Sequence, residues 1–214
     1  MSKRNVFIAT GAATLLACMS TAWAGSMETM TTVHRFADEA QVKGAEASLM
    51  RSHSGVAMKL STSELPPAEA VTVWWIVFNE PQNCSDQKCG ENDIFNLGAD
   101  GKPILNPDGS DPMNMAAIDA AKISILRADG HVIDKSGDAR YAAGLVKGDT
   151  SEAIVGPGLL DPIFAEIHLV LRSHGPAQAG KLDDMLYGIN GGCSDKFPNP
   201  PCVDLQFVMF MPPK

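Results

Sequence analysis

The stretch VTVWWIVFN, residues 71–79, decides the fold and holds two of the chain's three tryptophans. Its β-branched and aromatic residues fill both alternating positions, so a strand here is apolar on both faces. Pro66 and Pro67 precede the run and Pro81 follows it, which limits it to the length of a strand. We interpret this stretch as the central strand of the fold, buried on both sides.

A central strand of this kind needs a second cover, because a two-layer fold buries only one face of each sheet. The sequence leaves three candidates for that cover. They are the long, cysteine-bearing loop that follows the strand, a short helix later in the chain, or another molecule.

Similar patterns predict further strands on either side of the central one. Alternating apolar residues over 45–50 and 56–62 predict a hairpin, and Asp129-Gly130 predicts a second hairpin turn between strands at 122–127 and 131–134. The remaining predicted strands lie at 139–147, 164–172 and 203–211, the last with Leu205, Phe207, Met209 and Met211 toward the core. Helical spacing over 181–189 predicts one short helix. About eight short strands with one helix predict an all-β antiparallel β-sandwich.

The first 24 residues have the organisation of a signal peptide. Lys3 and Arg4 form a positive start, residues 6–17 are apolar but too few for a stable membrane span, and an A-x-A cleavage motif ends at Ala24. We expect cleavage near Ala24 and a periplasmic or secreted protein. A lipoprotein acylated at Cys18 is the less favoured alternative, because the residues before this cysteine fit a lipobox poorly.

Length and charge limit the remaining chain to a few classes. We expect a loose N-terminal leader at 25–44 and a single β-sandwich domain at 45–214, since about 190 residues suit one domain. The formal net charge of −8 repels phosphate backbones and anionic lipid, which disfavours nucleic-acid and membrane-surface partners. The sequence after the leader contains no apolar run long enough to span a membrane.

Four cysteines follow the leader: Cys84, Cys89, Cys193 and Cys202. An even number behind an export signal predicts two disulfides, with three possible connectivities. The close spacings favour the local pairs, Cys84 with Cys89 and Cys193 with Cys202. Cross-pairing, which would tie the end of the central strand to the start of the last one, is the second possibility.

Several of these stretches together resemble a family of exported bacterial proteins without a known activity. The resemblance is carried by LPP at 65–67 before the central strand, GPGLLDP at 156–162, AEIHLVLRSHGP at 165–176 and GGC at 191–193. That family is in turn faintly similar to the chordin-type (CHRD) β-domain, which tends to have a His-x-His pair where this chain has the single His168. The resemblance implies an Ig-like or CHRD-like sandwich and brings no activity, cofactor or partner.

The strand at 164–172 has the most unusual polar face in the chain. Glu166, His168 and Arg172 share one parity, and His174 continues it. We predict that these four residues form a binding surface, with the alternative that they are a solvated polar ladder. Glu166 and His168 could also share a metal with a residue from a neighbouring strand.

Other motifs suggest ligands less strongly. Residues 175–181 have the spacing of a phosphate-binding loop, but Leu182 replaces the magnesium-binding hydroxyl, so an ordinary turn is favoured. Met113 and Met115 suit copper(I), and the oxygen-rich residues 106–111 suit calcium without completing a known calcium motif. We find no nucleophile elbow and no zinc-protease motif in the sequence.

These observations predict an exported, non-catalytic β-sandwich protein that presents a binding or interaction surface to an unidentified protein or small ligand. That surface would combine the loop after the central strand with the polar face around His168. No cofactor and no resident metal are predicted. The alternative is a periplasmic protein that handles copper or calcium, and an exported hydrolase is third.

Overall fold

The computed structural model describes residues 26–85, 88–99, 104, 113–193 and 202–213. The predicted signal peptide, Cys18 and the calcium-type stretch at 106–111 lie outside the described residues. No helix in the described part of the chain is both long enough and apolar enough to cross a membrane.

The described residues form nine strands and three short helices. The strands are β1 (Met27–Arg35), β2 (Gln41–Ser52), β3 (Gly55–Thr62), β4 (Glu69–Phe78), β5 (Ile123–Val132), β6 (Ala139–Val146), β7 (Ala153–Val155), β8 (Glu166–Pro176) and β9 (Val203–Phe210). The helices are α1 (Glu91–Ile94), α2 (Met115–Ala121) and α3 (Leu182–Tyr187). The predicted hairpin, now β2–β3, and the predicted helix at 181–189 are therefore confirmed, with two further helices that the sequence did not indicate.

All nine strands belong to one sheet, in the order β6-β3-β2-β1-β9-β8-β4-β5-β7, and neighbouring strands are antiparallel. The all-β antiparallel prediction is confirmed, but the division into two sandwich layers, Ig-like or CHRD-like, is not. The single sheet curls into a half-barrel. Its curl brings β5 against β6, where the Asp129 carboxylate accepts the Ala142 amide at 3.1 Å and His131 stacks on Tyr141.

The interpretation of 71–79 as a central strand is confirmed, because β4 lies between β5 and β8 and is buried along nearly its whole length. Val73, Trp75 and Val77 face the inside of the curled sheet, where they join the main core. Trp74, Ile76 and Phe78 face outward into a second apolar cluster. The second cluster takes its other members from the disulfide loop, α1, α2 and β5.

The predicted loose leader at 25–44 is wrong over most of its length. Met27–Arg35 is strand β1, which pairs with β2 along most of its length and with β9 at His34 and Arg35. Val33 is completely buried and anchors the strand to the main core. The threonines that made this segment look loose are favourable strand residues wherever one face is exposed.

The predicted hairpin turn at Asp129-Gly130 is also wrong, because both residues lie within β5. Val73 pairs with Asp129 and Trp74 with Arg127, so one extra residue forms a β-bulge at this point. A Cβ on Gly130 would come within 2.9 Å of the Thr72 side chain. Glycine is therefore needed here for close approach of two strands, and not for a reversal of the chain.

The last strand faces the opposite way from the prediction. Gln206, Val208 and Phe210 point into the core, whereas Met209 is 44 % exposed and Met211 is 56 % exposed. The polar Gln206 is accommodated inside because it accepts a hydrogen bond from Thr62 and donates one to a backbone carbonyl, which satisfies its amide. The alternation of hydrophobic residues could not reveal this compensation.

Arg51 on β2 is a fully buried cation. Its guanidinium donates to the carbonyl oxygens of Pro162 and Ala165, each at 2.9 Å, and to that of Phe210 at 3.2 Å. These carbonyls belong to two segments distant in sequence, so one side chain fastens the chain before β8 and the end of β9 to β2. Burial lowers the pKa of Arg51 below its ordinary value, although an arginine remains charged at neutral pH.

We expect Arg51→Met to lower the free energy of unfolding by about 3 kcal/mol, since it leaves buried carbonyl oxygens without donors while keeping most of the side-chain volume. Urea denaturation followed by tryptophan fluorescence measures the change. Arg140→Met, at an exposed position of β6, is the control and should shift the value by less than about 0.5 kcal/mol. Equal midpoints for R51M and the unmodified protein would contradict this role.

Candidate ligand-binding cavity

A cavity of about 450 Å³ lies on the outer face of the curled sheet, where β4, β8 and β9 run side by side. Its floor is mainly apolar and is formed by Trp74, Ile76, Val170, Phe207 and Met209. A cavity of this volume is within the range of small-molecule sites in proteins.

Strand register brings the floor residues together. On this face Val170 lies opposite both Trp74 and Phe207, and His168 lies opposite both Ile76 and Met209. Directly opposed residues on one face of an antiparallel pair have neighbouring side chains. The cavity floor is thus a set of cross-strand rows from segments about 40 to 100 residues apart in sequence, which no local pattern contains.

A β-bulge in β9 completes the polar end of the floor. Leu171 pairs with Gln206 but Arg172 pairs with Asp204, so Leu205 is the extra residue. The bulge allows Gln206 to face the core while Asp204 faces the cavity beside Arg172. The Arg172 guanidinium donates to the Asp204 carboxylate at 2.8 Å and to the Ile189 carbonyl at 3.1 Å.

One wall of the cavity comes from the loop closed by the disulfide between Cys84 and Cys89. Asp93, which is almost completely buried, organises this loop by accepting the amides of Ser85 at 2.8 Å and Gly90 at 3.0 Å. These bonds hold Ser85 and Gly90 against the start of α1, and Ile94 and its neighbours line the cavity. The prediction that the loop and the face around His168 act together is consistent with this arrangement.

Another part of the lining comes from the turn between β1 and β2, with Phe36 and Glu39. The Phe36 ring packs on the Phe207 ring, with their centroids 5.0 Å apart. Since the sequence analysis assigned this turn to a loose leader, it gave no indication that the turn contributes to a site.

His168 is the best-oriented polar group in the cavity. Its Nε2 lies 2.7 Å from a carboxylate oxygen of Glu166, and its ring packs against Phe78 at 4.9 Å between centroids. Only 9 % of His168 and 4 % of Glu166 are exposed, so the alternative of a solvated ladder is wrong for this pair. In the described part of the chain, the Nδ1 atom of His168 has no hydrogen-bond partner.

The hydrogen bond to Glu166 determines what this histidine offers. A carboxylate accepts, so Nε2 carries the hydrogen and, in the neutral ring, Nδ1 presents a lone pair. His168 can therefore accept a hydrogen bond from a ligand or bind a soft metal ion. Metal-binding histidines commonly have their second nitrogen held by a carboxylate in this way.

Acidic groups outnumber basic ones around the cavity. Glu39, Glu91 and Asp204 line it, whereas Arg172 is the one lysine or arginine that does so among the described residues. Partial burial, followed by repulsion from Asp204, raises the pKa of Glu91 above its ordinary value. Glu91 and Asp204 thus bring two negative charges close together at the cavity.

His174, the fourth predicted site residue, lies outside the cavity and is buried. Its Nε2 lies 2.8 Å from the hydroxyl of Thr72, and its Nδ1 lies 2.9 Å from the carbonyl of Gly191. The same hydroxyl accepts the indole N–H of Trp74 at 2.7 Å. His174 therefore ties the segment after α3 to β4 and does not face a ligand.

The two local disulfides are the predicted ones, with Cα–Cα distances of 5.0 Å for Cys84 and Cys89 and 5.2 Å for Cys193 and Cys202. The second pair lies beside His174, and these three residues are the one group with the proximity of metal ligands in the described ranges. Because the two sulfurs are bonded to each other and both nitrogens of His174 have partners, we interpret the group as structural.

The other ligand motifs predicted from the sequence do not come together in one site among the described residues. Met113 packs against the second apolar cluster, and Met115 is 49 % exposed on α2. In the phosphate-loop-like segment, Ala177 and Lys181 donate their amides to backbone carbonyls, as in an ordinary turn. His53 lies in the exposed β2–β3 turn and His131 stacks on Tyr141, so neither contacts His168.

Glu166, His168 and Arg172 were predicted from the sequence, whereas Glu91, Asp204, Phe207 and Met209 were not predicted as site residues. Glu91 carried no signal, because a single acidic residue in a loop is usually solvated. Asp204 and Gln206 are two residues apart, so the pattern alone predicts that they share one polar face and gives no sign of the bulge that separates them.

We compared the chain with protein-family models, with curated proteins and with solved structures, and none of the three comparisons found a match. The function is therefore inferred from the site itself.

We expect the stability of this protein to fall as the pH is lowered from about 7 to about 5, partly because of His174. Burial is the main cause that lowers the pKa of His174, so the unfolded chain takes up this proton more readily than the folded one. A depressed histidine pKa contributes stability above its unfolded value of about 6.5, and this stability is lost as the pH falls below it.

Urea denaturation at several pH values measures this effect. His174→Gln, which is neutral throughout, should have a smaller loss of stability between the two pH values, whereas His53→Gln in the exposed turn should keep the full loss. If H174Q and the unmodified protein lose stability equally, His174 does not carry the effect.

Proposed function

We propose that this protein is an exported, non-catalytic binding protein whose cavity above β4, β8 and β9 takes a small molecule. The observation that carries this proposal is the open-sided, mainly apolar cavity that His168 and Arg172 line, each held by hydrogen bonds to protein groups. Sites that bind small molecules have this composition, with an apolar lining and a few oriented polar groups.

The arrangement of the polar groups favours binding over covalent chemistry. Arg172 is held by protein acceptors, and His168 is oriented by Glu166. Nucleophilic catalysis would need a serine, threonine or thiolate within hydrogen-bond reach of a base. The cavity-lining residues in the described part of the chain include one cysteine, Cys89, and its sulfur is committed to a disulfide.

The two disulfides support the export part of the proposal. Disulfides persist in oxidising compartments and are rare in the cytosol. Two cysteine pairs at disulfide distance therefore favour an oxidising environment outside the cytoplasm. The predicted signal peptide at 1–24 would bring the chain there.

We expect the neutral fluorophore N-phenyl-naphthylamine to brighten when it is titrated into the protein, because its emission increases in an apolar site. Val170→Trp places a large side chain on the cavity floor and should weaken this binding at least about tenfold. Val146→Trp, at a position of β6 that is 61 % exposed, is the matched control and should bind like the unmodified protein.

Circular dichroism verifies that both tryptophan variants remain folded. No increase in emission with the unmodified protein would contradict small-molecule binding. An equal increase with V170W would show that the dye binds elsewhere, which contradicts the assignment of the cavity.

A second candidate function, copper(I) handling, is favoured by one specific feature. His168 and Met209 are directly opposed on neighbouring strands, and both line the cavity. An imidazole and a thioether suit copper(I), and Glu166 holds the histidine as such sites require. This pair replaces Met113 and Met115, the methionines that the sequence analysis favoured for copper.

If the cavity handles copper(I), the protein should remove the ion from a chromogenic copper(I) chelator in anaerobic solution. Met209→Leu should then reduce the affinity about tenfold or more, since it removes one of the soft ligands while keeping the apolar volume. Met115→Leu on α2 serves as the control. No transfer of copper, or equal transfer to M209L, would eliminate this candidate.

A further inference from the structure

Among the described residues that line the cavity, the charges do not balance. Arg172 is neutralised by Asp204, with which it forms an ion pair at 2.8 Å. Glu39 and Glu91 have no ion-pair or hydrogen-bond partner for their carboxylates within the described ranges. Two unpaired acidic side chains therefore remain at the cavity.

These two carboxylates come from different walls. Glu39 belongs to the turn between β1 and β2, and Glu91 begins α1 in the disulfide loop. Two separate elements thus place the same sign of charge around one apolar floor. The raised pKa of Glu91, caused by partial burial and by Asp204, indicates an environment that a positive charge would relieve.

His168 gives independent evidence that the cavity prefers a positively charged ligand. Its side chain is only 11 % exposed, lines the cavity, and has an unpartnered Nδ1 in the described structure. Because Nε2 donates to Glu166, the Nδ1 of the neutral ring is an acceptor. An acceptor beside unpaired carboxylates selects a ligand that donates N–H hydrogen bonds.

The floor supplies the complementary apolar surface. Trp74, Phe95 and Phe207 contribute aromatic surface to the cavity. Aromatic rings attract cations through the negative charge of their faces, most strongly where water is excluded. The net charge of −8 adds a long-range attraction for positive ligands.

We propose that the ligand of this cavity is a small organic cation: an apolar or aromatic body that carries an ammonium or guanidinium group. The apolar body lies on the floor formed by β4, β8 and β9. The cationic group lies between Glu91 and Glu39, within reach of His168. This inference rests on the proposed binding function and adds the chemical class of the ligand.

Three probes with similar apolar bodies and different charges test the proposal by isothermal titration calorimetry at neutral pH. They are phenylpropylammonium, phenylpropanol and phenylpropanoate. We expect the cation to bind about tenfold more tightly than the alcohol and the anion to bind most weakly. The preference for the cation should decrease as the salt concentration rises, since salt screens exposed charges.

Substitutions of the two glutamates test whether their carboxylates cause the preference for the cation over the alcohol. Glu91→Gln should lose most of the advantage of the cation over the alcohol, and the double variant with Glu39→Gln should lose all of it. Comparing the cation with the alcohol within each variant separates the effect of the charge from any general change in the cavity. Glu152→Gln, an exposed position between β6 and β7 away from the cavity, is the control and should keep the full preference.

The outcomes separate the two proposals. If the cation and the alcohol bind equally and V170W abolishes both, the cavity binds small molecules but the assignment of an organic cation is wrong. If E91Q retains the full preference, these carboxylates are not its source and the assignment is likewise overturned. If no probe binds, or V170W binds all three unchanged, the proposed function of the cavity fails and the assignment fails with it.

Discussion

A strand that is apolar on both faces is stable only if both faces are covered, and β4 is such a strand. Trp75 points to one side and Trp74 to the other, and each is at most 2 % exposed. Burying one large apolar side chain contributes roughly 1.5–3 kcal/mol, so leaving either face open would cost a large part of the stability of a domain. The molecule covers the two faces by different means.

Curling of the sheet covers the inner face, so a single sheet encloses its own core without a second layer. In the part of the chain that the structure describes, the outer face has no sheet above it and is covered by loops and short helices instead. These pack closely over Phe78, at the end of β4 where the disulfide loop starts. Toward Val170 and Phe207 the cover is incomplete, and the cavity lies there. The candidate site is therefore a consequence of how the central strand is buried.

Local patterns predicted the features that depend on local sequence. The central strand, the β2–β3 hairpin, α3 and the two short-range disulfides were all predicted from residues close to one another in the chain. Errors arose where distant partners decide the structure. Gln206 faces inward because Thr62 and Ser63 satisfy its amide, and Gly130 lies within a strand because Thr72 approaches it closely.

The candidate site was predictable only in part for the same reason. His168 and Arg172 stood out because polar residues alternate with apolar ones along β8. Their partners Met209 and Asp204 are set by the pairing of β8 with β9 and by a bulge, and Phe36 by the path of β1. Which residues lie beside His168 and Arg172 is decided by the order and register of the strands. Strand order and register cannot be read from a single sequence.

The cavity wall that contains Glu91 follows a short loop that the disulfide between Cys84 and Cys89 closes. Closing so short a ring removes little entropy from the unfolded chain, so the bond between Cys84 and Cys89 contributes more to shape than to global stability. In a reducing cytosol the bond between Cys84 and Cys89 would not persist, so this wall of the cavity would lack its covalent link. The shape of this wall is thus coupled to the redox state of the surroundings, and the cavity proposed to bind a small molecule is complete only where this disulfide can form.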